Sequence, residues 1–568
     1  MSLPPLLAGA RRVLLLRLVA NGLGQAAAAV ATALITRAGF DALIDPSAPP
    51  SLWQGLRIGL GLLGAALLGG WLLSVERADA ERLGQDYAAE LRRLLFAHLT
   101  GISPRRLQRR SRGGLMLRFV GDLSALRYWV SIGLVRLLVG GVAGTAALGT
   151  LVLLNRPIGL AAAVIIAAGV LVCLRLGPRM REAARRARRR RSQLAANVNE
   201  KIAAIAVVQA FGQGAREARR IGRQGDRLAG AMIQRARTAG RLRGVSHGMA
   251  AFAAGAVLLV GAGETAAGRA SPGTLVAAML VAALLAPRLK DLGRVYETWN
   301  AALVSRQKIE AFLSVPAECA DTAVLPDLPR GPGALVFADV SLAGTLHGIT
   351  ARAEAGSRVA IMGPNGAGKS TLLMLATRLL RPTGGRILLD GHDIAAHGLA
   401  SVRDAVALVG PDLPLLRGSI ERNLRYGRRD ASDEAVAAVA ALCGIDRLLA
   451  RLPAGDRTRV LEGGLSLSAG QRQCVALGRA LLRDPVLLLL DEADANLDPL
   501  ARGAIDRVLA SFKGTVLMIT HDRQRVATAD RVWCLADGRL VEQGPPAVLL
   551  RGSGPTARLF GASGRTAA

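Results

Sequence analysis

Residues 363–370 read Gly-Pro-Asn-Gly-Ala-Gly-Lys-Ser, a glycine-rich run that ends in a lysine and a hydroxyl residue. The spacing fits G-x-x-x-x-G-K-[ST], a loop whose backbone N–H groups turn inward around a polyphosphate while the lysine adds a positive charge. An apolar strand is predicted before it at 358–362 and a helix after it at 370–380, whose N-terminal amides would face the phosphates. We therefore predict nucleoside triphosphate binding by Gly363, Pro364, Asn365, Gly366, Ala367, Gly368, Lys369, Ser370 and Thr371.

Two adjacent carboxylates, Asp491 and Glu492, follow an apolar run at 486–490. That run is too short to cross a membrane and is typical of a central parallel strand buried on both faces. Burying adjacent acids costs free energy unless a metal or a reaction uses them. A second buried strand is predicted at 515–520, and His521 follows it immediately. Alone, a histidine at a strand end is more often incidental than catalytic.

The sequence Leu-Ser-Ala-Gly-Gln at 467–471 lies shortly before these carboxylates. Ser468 is a favourable N-cap for the apolar helix predicted to continue to 482. A helix cap is therefore the alternative to a functional role for this segment.

Six stretches of the first 300 residues contain no charged side chain, and none of that length occurs beyond residue 330. Each is about 17 to 20 residues, roughly the length a helix needs to cross a ~30 Å hydrocarbon layer. Buried helices of a large soluble protein are the alternative, which the number of such segments and their regular connections disfavour. The predicted membrane helices are about 13–36, 55–76, 132–154, 157–175, 244–263 and 270–288.

Loop composition predicts the orientation of these helices. The connections 76–136 and 175–243 are long and rich in arginine, which favours the cytoplasmic side. Both termini and the nucleotide-binding region are then cytoplasmic, in a multi-pass protein of a bacterial-type inner membrane. The tips of the two long connections lie near 100–114 and 208–214, on the same side of the membrane as the nucleotide-binding region.

The formal charge of +31 and the pI near 11.5 raise the alternative of nucleic-acid binding, most strongly at the basic run 185–191. No DNA-binding motif or aromatic-rich RNA platform accompanies it, so we interpret the charge as cytoplasmic helix surface facing anionic lipid. No nucleic-acid partner is expected. The five cysteines are scattered, which argues against a disulfide framework or a structural zinc site.

Taken together, the chain resembles an ATP-binding cassette (ABC) exporter half-transporter. The segments 363–370, 467–471 and 491–492 carry the resemblance, supported by weaker similarity of 114–122, 200–212 and 271–275 to the intracellular loops and last helix of these exporters. It implies an N-terminal all-α polytopic membrane domain followed by an α/β P-loop NTPase domain of the ABC type. The predicted boundaries are 1–315 for the membrane domain, 316–332 for a linker, 333–555 for the ATPase domain and 556–568 for a tail.

The resemblance also implies roles. Asp491 and Ser370 would hold Mg²⁺, Glu492 would activate the attacking water, and Lys369 and His521 would contact the phosphates of ATP in a phosphoryl transfer to water. The signature residues would contact ATP bound to a second subunit, and Asp498 would sense the opposite site. The signature residues are Leu467, Ser468, Ala469, Gly470 and Gln471.

Two positions depart from the family pattern. Pro411 stands where a lid glutamine is expected, and it has neither a side-chain donor nor an N–H; Asp412 could supply an oxygen instead. No aromatic residue lies near Gly344 to stack on adenine, and His347 is a possible replacement. Because Glu492, His521 and the signature are present, we expect hydrolysis.

One phosphate loop and one signature in each chain imply that two chains pair head to tail, with a homodimer favoured and a heterodimer possible. The predicted function is an ATP-driven exporter of an unidentified small molecule, lipid or peptide. The alternatives are a membrane-anchored regulatory ATPase without transport and a nucleic-acid-stimulated ATPase. Asn21, Gln25 and His247 lie in or near spans, either lining a cavity or making interhelical hydrogen bonds.

Overall fold

A computed structural model describes residues 3–44, 51–108, 112–320, 324–452, 455–494 and 497–563. The chain forms two compact units, one from 1–99 with 108–316 and the other from 100–107 with 317–568. Residues 495 and 496, which precede Asp498 in the predicted sensing loop, and the end of the predicted tail after 563 lie outside the described residues.

The described residues between 10 and 313 are almost entirely helical. Within the described residues, six helical segments are long and apolar enough to cross a membrane, as predicted, and the third of them runs from Gly113 to Leu154. The helices are α1 (Ala10–Ile44), α2 (Leu52–Gly101), α3 (Pro104–Gln108), α4 (Arg112–Leu117), α5 (Leu123–Tyr128), α6 (Val135–Leu154), α7 (Arg156–Ala203), α8 (Ile205–Ala210), α9 (Gly214–Ala266) and α10 (Pro272–Leu313).

Several helices are longer than a bilayer is thick. Helices α7 and α9 contain 48 and 53 residues. At 1.5 Å per residue each is about 70 to 80 Å long, more than twice the hydrocarbon layer. The short helix α8 joins them, at the position where sequence predicts a tip.

The third membrane segment departs from a regular α-helix before α6. Two π-helical turns, Arg118–Asp122 and Trp129–Leu134, interrupt it. Gly133, in the second turn, lets the Trp129 ring pack closely, because a Cβ at position 133 would lie 2.2 Å from Trp129 Cε3. The Trp129 ring in turn lies against that of Trp299, with centroids 4.7 Å apart.

The second unit is built around β-sheets. Its strands are β1 (Leu335–Leu342), β2 (Leu346–Ala353), β3 (Arg358–Met362), β4 (Gly384–Leu389), β5 (His392–Asp393), β6 (Val406–Val409), β7 (Gly418–Ser419), β8 (Arg459–Val460), β9 (Leu487–Asp491), β10 (Thr515–Ile519), β11 (Arg531–Ala536) and β12 (Arg539–Gly544). Its helices are α11 (Lys369–Ala376), α12 (Leu399–Ala405), α13 (Ile420–Leu424), α14 (Asp433–Leu442), α15 (Ile445–Arg451), α16 (Ala469–Leu481), α17 (Pro499–Ser511), α18 (Arg523–Ala527), α19 (Pro546–Leu549) and α20 (Pro555–Ser563).

The main sheet has the strand order β12-β11-β3-β10-β9-β6, and all neighbouring pairs except β11–β12 are parallel. Successive leucines of β9 face opposite sides: Leu488 and Leu490 pack in one hydrophobic cluster, and Leu487 and Leu489 in another. Burial on both faces explains the continuous apolar runs in these strands. Ligands of such open sheets bind outside the carboxyl ends of the strands.

Helix α11 ends at Ala376 and is therefore shorter than the predicted helix 370–380. Arg378 adopts a left-handed conformation with φ of +51°, which α-helical backbone cannot accommodate. The Arg378 guanidinium donates to the His397 carbonyl at 2.6 Å, which holds the chain in this turn.

Candidate nucleotide-binding and catalytic site

The phosphate loop connects β3 to α11 at the carboxyl edge of the main sheet. Gly366 and Gly368 have φ of +85° and +98°, a region that residues with a Cβ rarely adopt. A Cβ on Gly368 would also lie 2.5 Å from Leu346 Cδ2. The glycines therefore give the loop a bare main-chain surface, as binding of a polyphosphate requires.

Lys369 begins α11 and its side chain is buried within the loop. Its Nζ donates to the carbonyl oxygens of Gly363 at 2.7 Å and Pro364 at 3.1 Å. Burial lowers the pKa of the Lys369 ammonium, and the carboxylates of Glu492 and Asp491 oppose that shift. The structure thus holds a cation inside the phosphate loop and near both acids.

Ser370 and Asp491 meet at the ends of α11 and β9. The Ser370 hydroxyl donates to Asp491 Oδ1 at 3.0 Å. Burial raises the pKa of the Asp491 carboxyl, the hydrogen bond from Ser370 opposes this, and the neighbouring charges of Glu492 and Asp412 raise it further. A buried carboxylate with too little compensating positive charge is the environment that a cation would stabilise.

The two oxygen donors Ser370 and Asp491 suit a magnesium ion that is shared with the phosphates of a nucleotide, rather than a metal ion bound by protein side chains alone. Among the residues that the structure describes, no group of three or more histidine, cysteine, aspartate or glutamate side chains could hold a metal ion. Mg²⁺ usually binds through one or two carboxylates together with substrate phosphates. The hydroxyl of Ser370 and the carboxylate of Asp491, beside the phosphate loop, fit that pattern.

Glu492 and His521 follow the adjacent strands β9 and β10. Glu492 has φ of +47°, an uncommon conformation for a residue with a side chain, and its N–H donates to the Ile519 carbonyl at 3.1 Å. Its Oε1 lies 3.9 Å from His521 Nε2, and both side chains are accessible to solvent. Strained backbone of this kind is concentrated at functional sites.

Ser468 caps α16, as the alternative interpretation predicted. Its hydroxyl accepts from the Gln471 N–H at 3.2 Å, and Gln471 Oε1 accepts from the Ser468 N–H at 2.8 Å. This reciprocal capping box gives both residues a structural role. Leu467 is buried before the cap, Ala469 is exposed, and Gly470 is buried.

The two departures from the family pattern lie in exposed turns. Pro411 follows Gly410, which packs so closely on the site that a Cβ there would lie 2.9 Å from Asp491 Cβ. Gly344 has φ of +70° in the turn between β1 and β2. His347 is exposed, and its N–H donates to the Gly538 carbonyl at 2.8 Å.

A buried polar network joins three membrane helices away from the nucleotide site. Gln25 Nε2 donates to Asn21 Oδ1 at 2.8 Å and to Glu76 Oε2 at 2.6 Å, while Gln25 Oε1 accepts from Arg288. Asn21 Nδ2 donates to the Leu72 carbonyl at 2.9 Å. The interhelical hydrogen bonds expected of Asn21 and Gln25 are present, whereas His247 is exposed. Sequence reasoning missed Glu76 and Arg288, which directly follow charge-free stretches.

Both halves of the chain match models of ABC transporter regions. The model of the ABC transporter transmembrane region matches residues 16–287, and that of the ABC transporter matches 346–495. The ATP-dependent lipid A-core flippase of Albidiferax ferrireducens is 30% identical over 476 residues, 81% of each chain. The ATM1-type heavy metal exporter of Novosphingobium aromaticivorans is 39% identical over 280 residues, which are 48% of this chain and 46% of that protein.

One solved structure is similar over almost the whole chain. A bacterial Atm1-family ABC exporter with ATP bound has a TM-score of 0.88 and 27% identity, covering 98% of both chains. The similarity therefore includes both the membrane helices and the unit that carries the phosphate loop.

Proposed function

The chain belongs to the ABC transporter family, as an exporter half-transporter that couples ATP hydrolysis to transport, and we propose that it works as a homodimer. Half-transporters of this type generally dimerise in a lipid bilayer. The proposed location is the bacterial inner membrane, with the ATPase domain, residues 333–555, and both termini in the cytoplasm. The linker 316–332 would join it to the membrane domain 1–315.

The proposed chemistry is phosphoryl transfer from ATP to water. Residues 363–371 would bind the phosphates, with main-chain N–H groups from residues other than Pro364, and together with the Lys369 ammonium they would orient the phosphates and neutralise their charge. Ser370 and Asp491 would hold Mg²⁺, which supplies further charge neutralisation when bound. The observation that carries this assignment is the hydrogen bond of 3.0 Å between Ser370 and Asp491 beside the buried Lys369.

Glu492 and His521 would complete the reaction. Glu492 would accept a proton from the attacking water, and His521 would donate a hydrogen bond to the phosphate that is released. Their placement after neighbouring parallel strands, with Oε1 and Nε2 3.9 Å apart, supports two groups acting on one phosphate.

The second half of each site would come from the other subunit. Each chain has one phosphate loop and one signature, so Ser468 and Gly470 of one protomer would close over ATP bound to its partner, and Asp498 would lie at the junction. ATP would favour the closed dimer only because that state binds it more tightly. Hydrolysis would then release the pair and let the membrane helices reopen.

The transported substrate is a small molecule, lipid or peptide in this proposal. The relatives named above carry chemically different cargo by name, a lipid A-core and heavy metals. Similarity to them therefore does not decide between these classes.

Proteoliposomes containing the purified full-length chain test the proposal. Wild-type protein should hydrolyse MgATP, and Glu492→Gln should abolish hydrolysis while retaining ATP binding. Flux of labelled lipid A-core and of Cd²⁺ is measured in the same vesicles, with Arg185→Ala as the control that keeps the ATPase intact. Hydrolysis that survives Glu492→Gln would overturn the catalytic assignment.

A further inference from the structure

We propose that Asp494 and Thr520 form a clamp that positions the switch residue His521 against Glu492. This inference deepens the proposed catalytic site and rests on the roles assigned there to Glu492 and His521. Asp494 lies two residues after Glu492, and Thr520 directly precedes His521. A contact between them therefore connects the two segments that carry the reacting side chains.

The contact is short and buried. The Thr520 hydroxyl donates to Asp494 Oδ2 at 2.5 Å, and Thr520 is 1% exposed. Thr520 Oγ1 also accepts from the Asp522 N–H at 3.0 Å, on the far side of His521. One hydroxyl thus bonds to the segment after Glu492 and to the backbone that follows His521.

The Arg525 guanidinium holds the Asp494 carboxylate in place. Arg525, in α18, approaches Asp494 Oδ2 at 3.2 Å through Nε and Asp506 Oδ1 at 2.9 Å through a terminal nitrogen. The Arg525 side chain is 9% exposed and that of Asp494 is 14% exposed. Because burial makes any unpaired charge costly, the paired arrangement holds Asp494 in one orientation.

The location of the clamp explains what it would do. Strands β9 and β10 are paired up to Asp491 and Ile519, and the Glu492 N–H still donates to the Ile519 carbonyl. The left-handed conformation of Glu492 then turns the chain away from the sheet. The Thr520–Asp494 bond reconnects the two segments beyond this turn, which fixes the separation of the Glu492 and His521 side chains.

Asp494 and Thr520 are therefore positioning residues and need not touch ATP. Loss of the clamp should slow the chemical step without weakening nucleotide binding, because the phosphate loop and Lys369 remain intact. Misplacement of a reacting group by about 1 Å can cost on the order of 10²-fold in rate.

The test measures ATP hydrolysis by full-length protein in lipid nanodiscs as kcat and KM separately. Thr520→Val removes the hydroxyl with little change in shape, and kcat should fall about 10- to 100-fold while KM for ATP stays within about twofold. Thr520→Ser keeps the hydroxyl and should restore kcat. Glu354→Gln, which alters an exposed ion pair with Arg352 in the same unit, is the matched control.

Wild-type kcat in Thr520→Val, or a loss that Thr520→Ser does not restore, would overturn the clamp. If Thr520→Val fails to fold, Asp494→Asn takes its place: a lower kcat at unchanged KM supports the clamp, and wild-type kcat refutes it. Single-turnover rates give the remaining check. Thr520→Val combined with His521→Ala should be no slower than His521→Ala alone, whereas fully multiplicative effects would contradict positioning through His521.

The variant Glu492→Gln distinguishes failure of the proposed catalytic roles from failure of the clamp alone. If Glu492→Gln hydrolyses ATP normally, the proposed catalytic roles are wrong and the clamp falls with them. If Glu492→Gln is inactive but Thr520→Val behaves as wild type, only the clamp is refuted.

Discussion

Gly470 lies directly against Asp498: a Cβ atom at position 470 would be 2.8 Å from Asp498 Oδ2 and 3.0 Å from the Ala501 Cβ. Asp498 is itself held as the N-cap of α17, where Oδ1 accepts from the Ala501 N–H at 2.8 Å. The signature segment and the predicted sensing loop of one protomer are therefore in contact. A displacement of the N-terminal end of α16 should therefore also displace the N-terminal end of α17.

Gly470→Ala should impair ATP hydrolysis because the added methyl group displaces the Asp498 carboxylate from its capping position. Overpacking of a buried site typically costs about 1–3 kcal/mol, so the melting temperature should also fall. Gly503→Ala in α17 is the control, since its Cβ would meet only Arg507 at an ordinary 3.7 Å. Equal hydrolysis rates and melting temperatures for the two variants would show that the Gly470–Asp498 contact contributes to neither activity nor stability.

Ser370→Ala should raise the Mg²⁺ concentration needed for half-maximal hydrolysis. The substitution removes one proposed metal-binding oxygen and leaves the buried Asp491 carboxylate without its hydrogen bond from Ser370. Activity is measured over a Mg²⁺ titration at saturating ATP, with Ser357→Ala as the control hydroxyl deletion. An unchanged Mg²⁺ requirement would remove Ser370 from the metal site.

Pro411→Gln should raise turnover or tighten its coupling to transport. The new side chain would supply the amide donor and acceptor that proline lacks, in the turn after Gly410, where a Cβ atom would lie 2.9 Å from Asp491 Cβ. Steady-state hydrolysis with and without transported compound measures the effect. Kinetics identical to wild type would mean that position 411 is not the lid.

Gln25→Leu should destabilise the membrane helices. The change leaves Glu76 and Arg288 without the amide that bonds to both, and unsatisfied buried polar groups cost about 1–3 kcal/mol each. Thermal unfolding in detergent should show a lower midpoint than wild type. The control is Gln307→Leu, an exposed glutamine of α10. An unchanged midpoint for Gln25→Leu would show that the network is not stabilising.

Sequence patterns predicted the elements whose cause is local. The six membrane helices follow from long charge-free stretches, and β3, β9 and β10 follow from short apolar runs that are buried on both faces. The nucleotide-binding loop could be predicted because its glycines and lysine are contiguous. Each of these signals is contained in one short window of the chain.

Other features depend on contacts between distant segments. The left-handed conformation of Glu492 arises where β9 meets β10, and no residue type at that position indicates it. The Thr520–Asp494 bond joins residues 26 positions apart. Gln25 bonds to both Glu76 and Arg288, which lie 51 and 263 positions further along the chain.

Complementation between two inactive subunits tests the central claim most directly. One chain carries Lys369→Ala, the other carries Ser468→Arg, and the mixed dimer is isolated through two different affinity tags. In a head-to-tail dimer the two lesions fall in the same composite site, so the other site is intact and the mixed dimer should hydrolyse ATP well above either parent. A mixed dimer as inactive as its parents would contradict the account, because each lesion would then disable a site contained within its own chain.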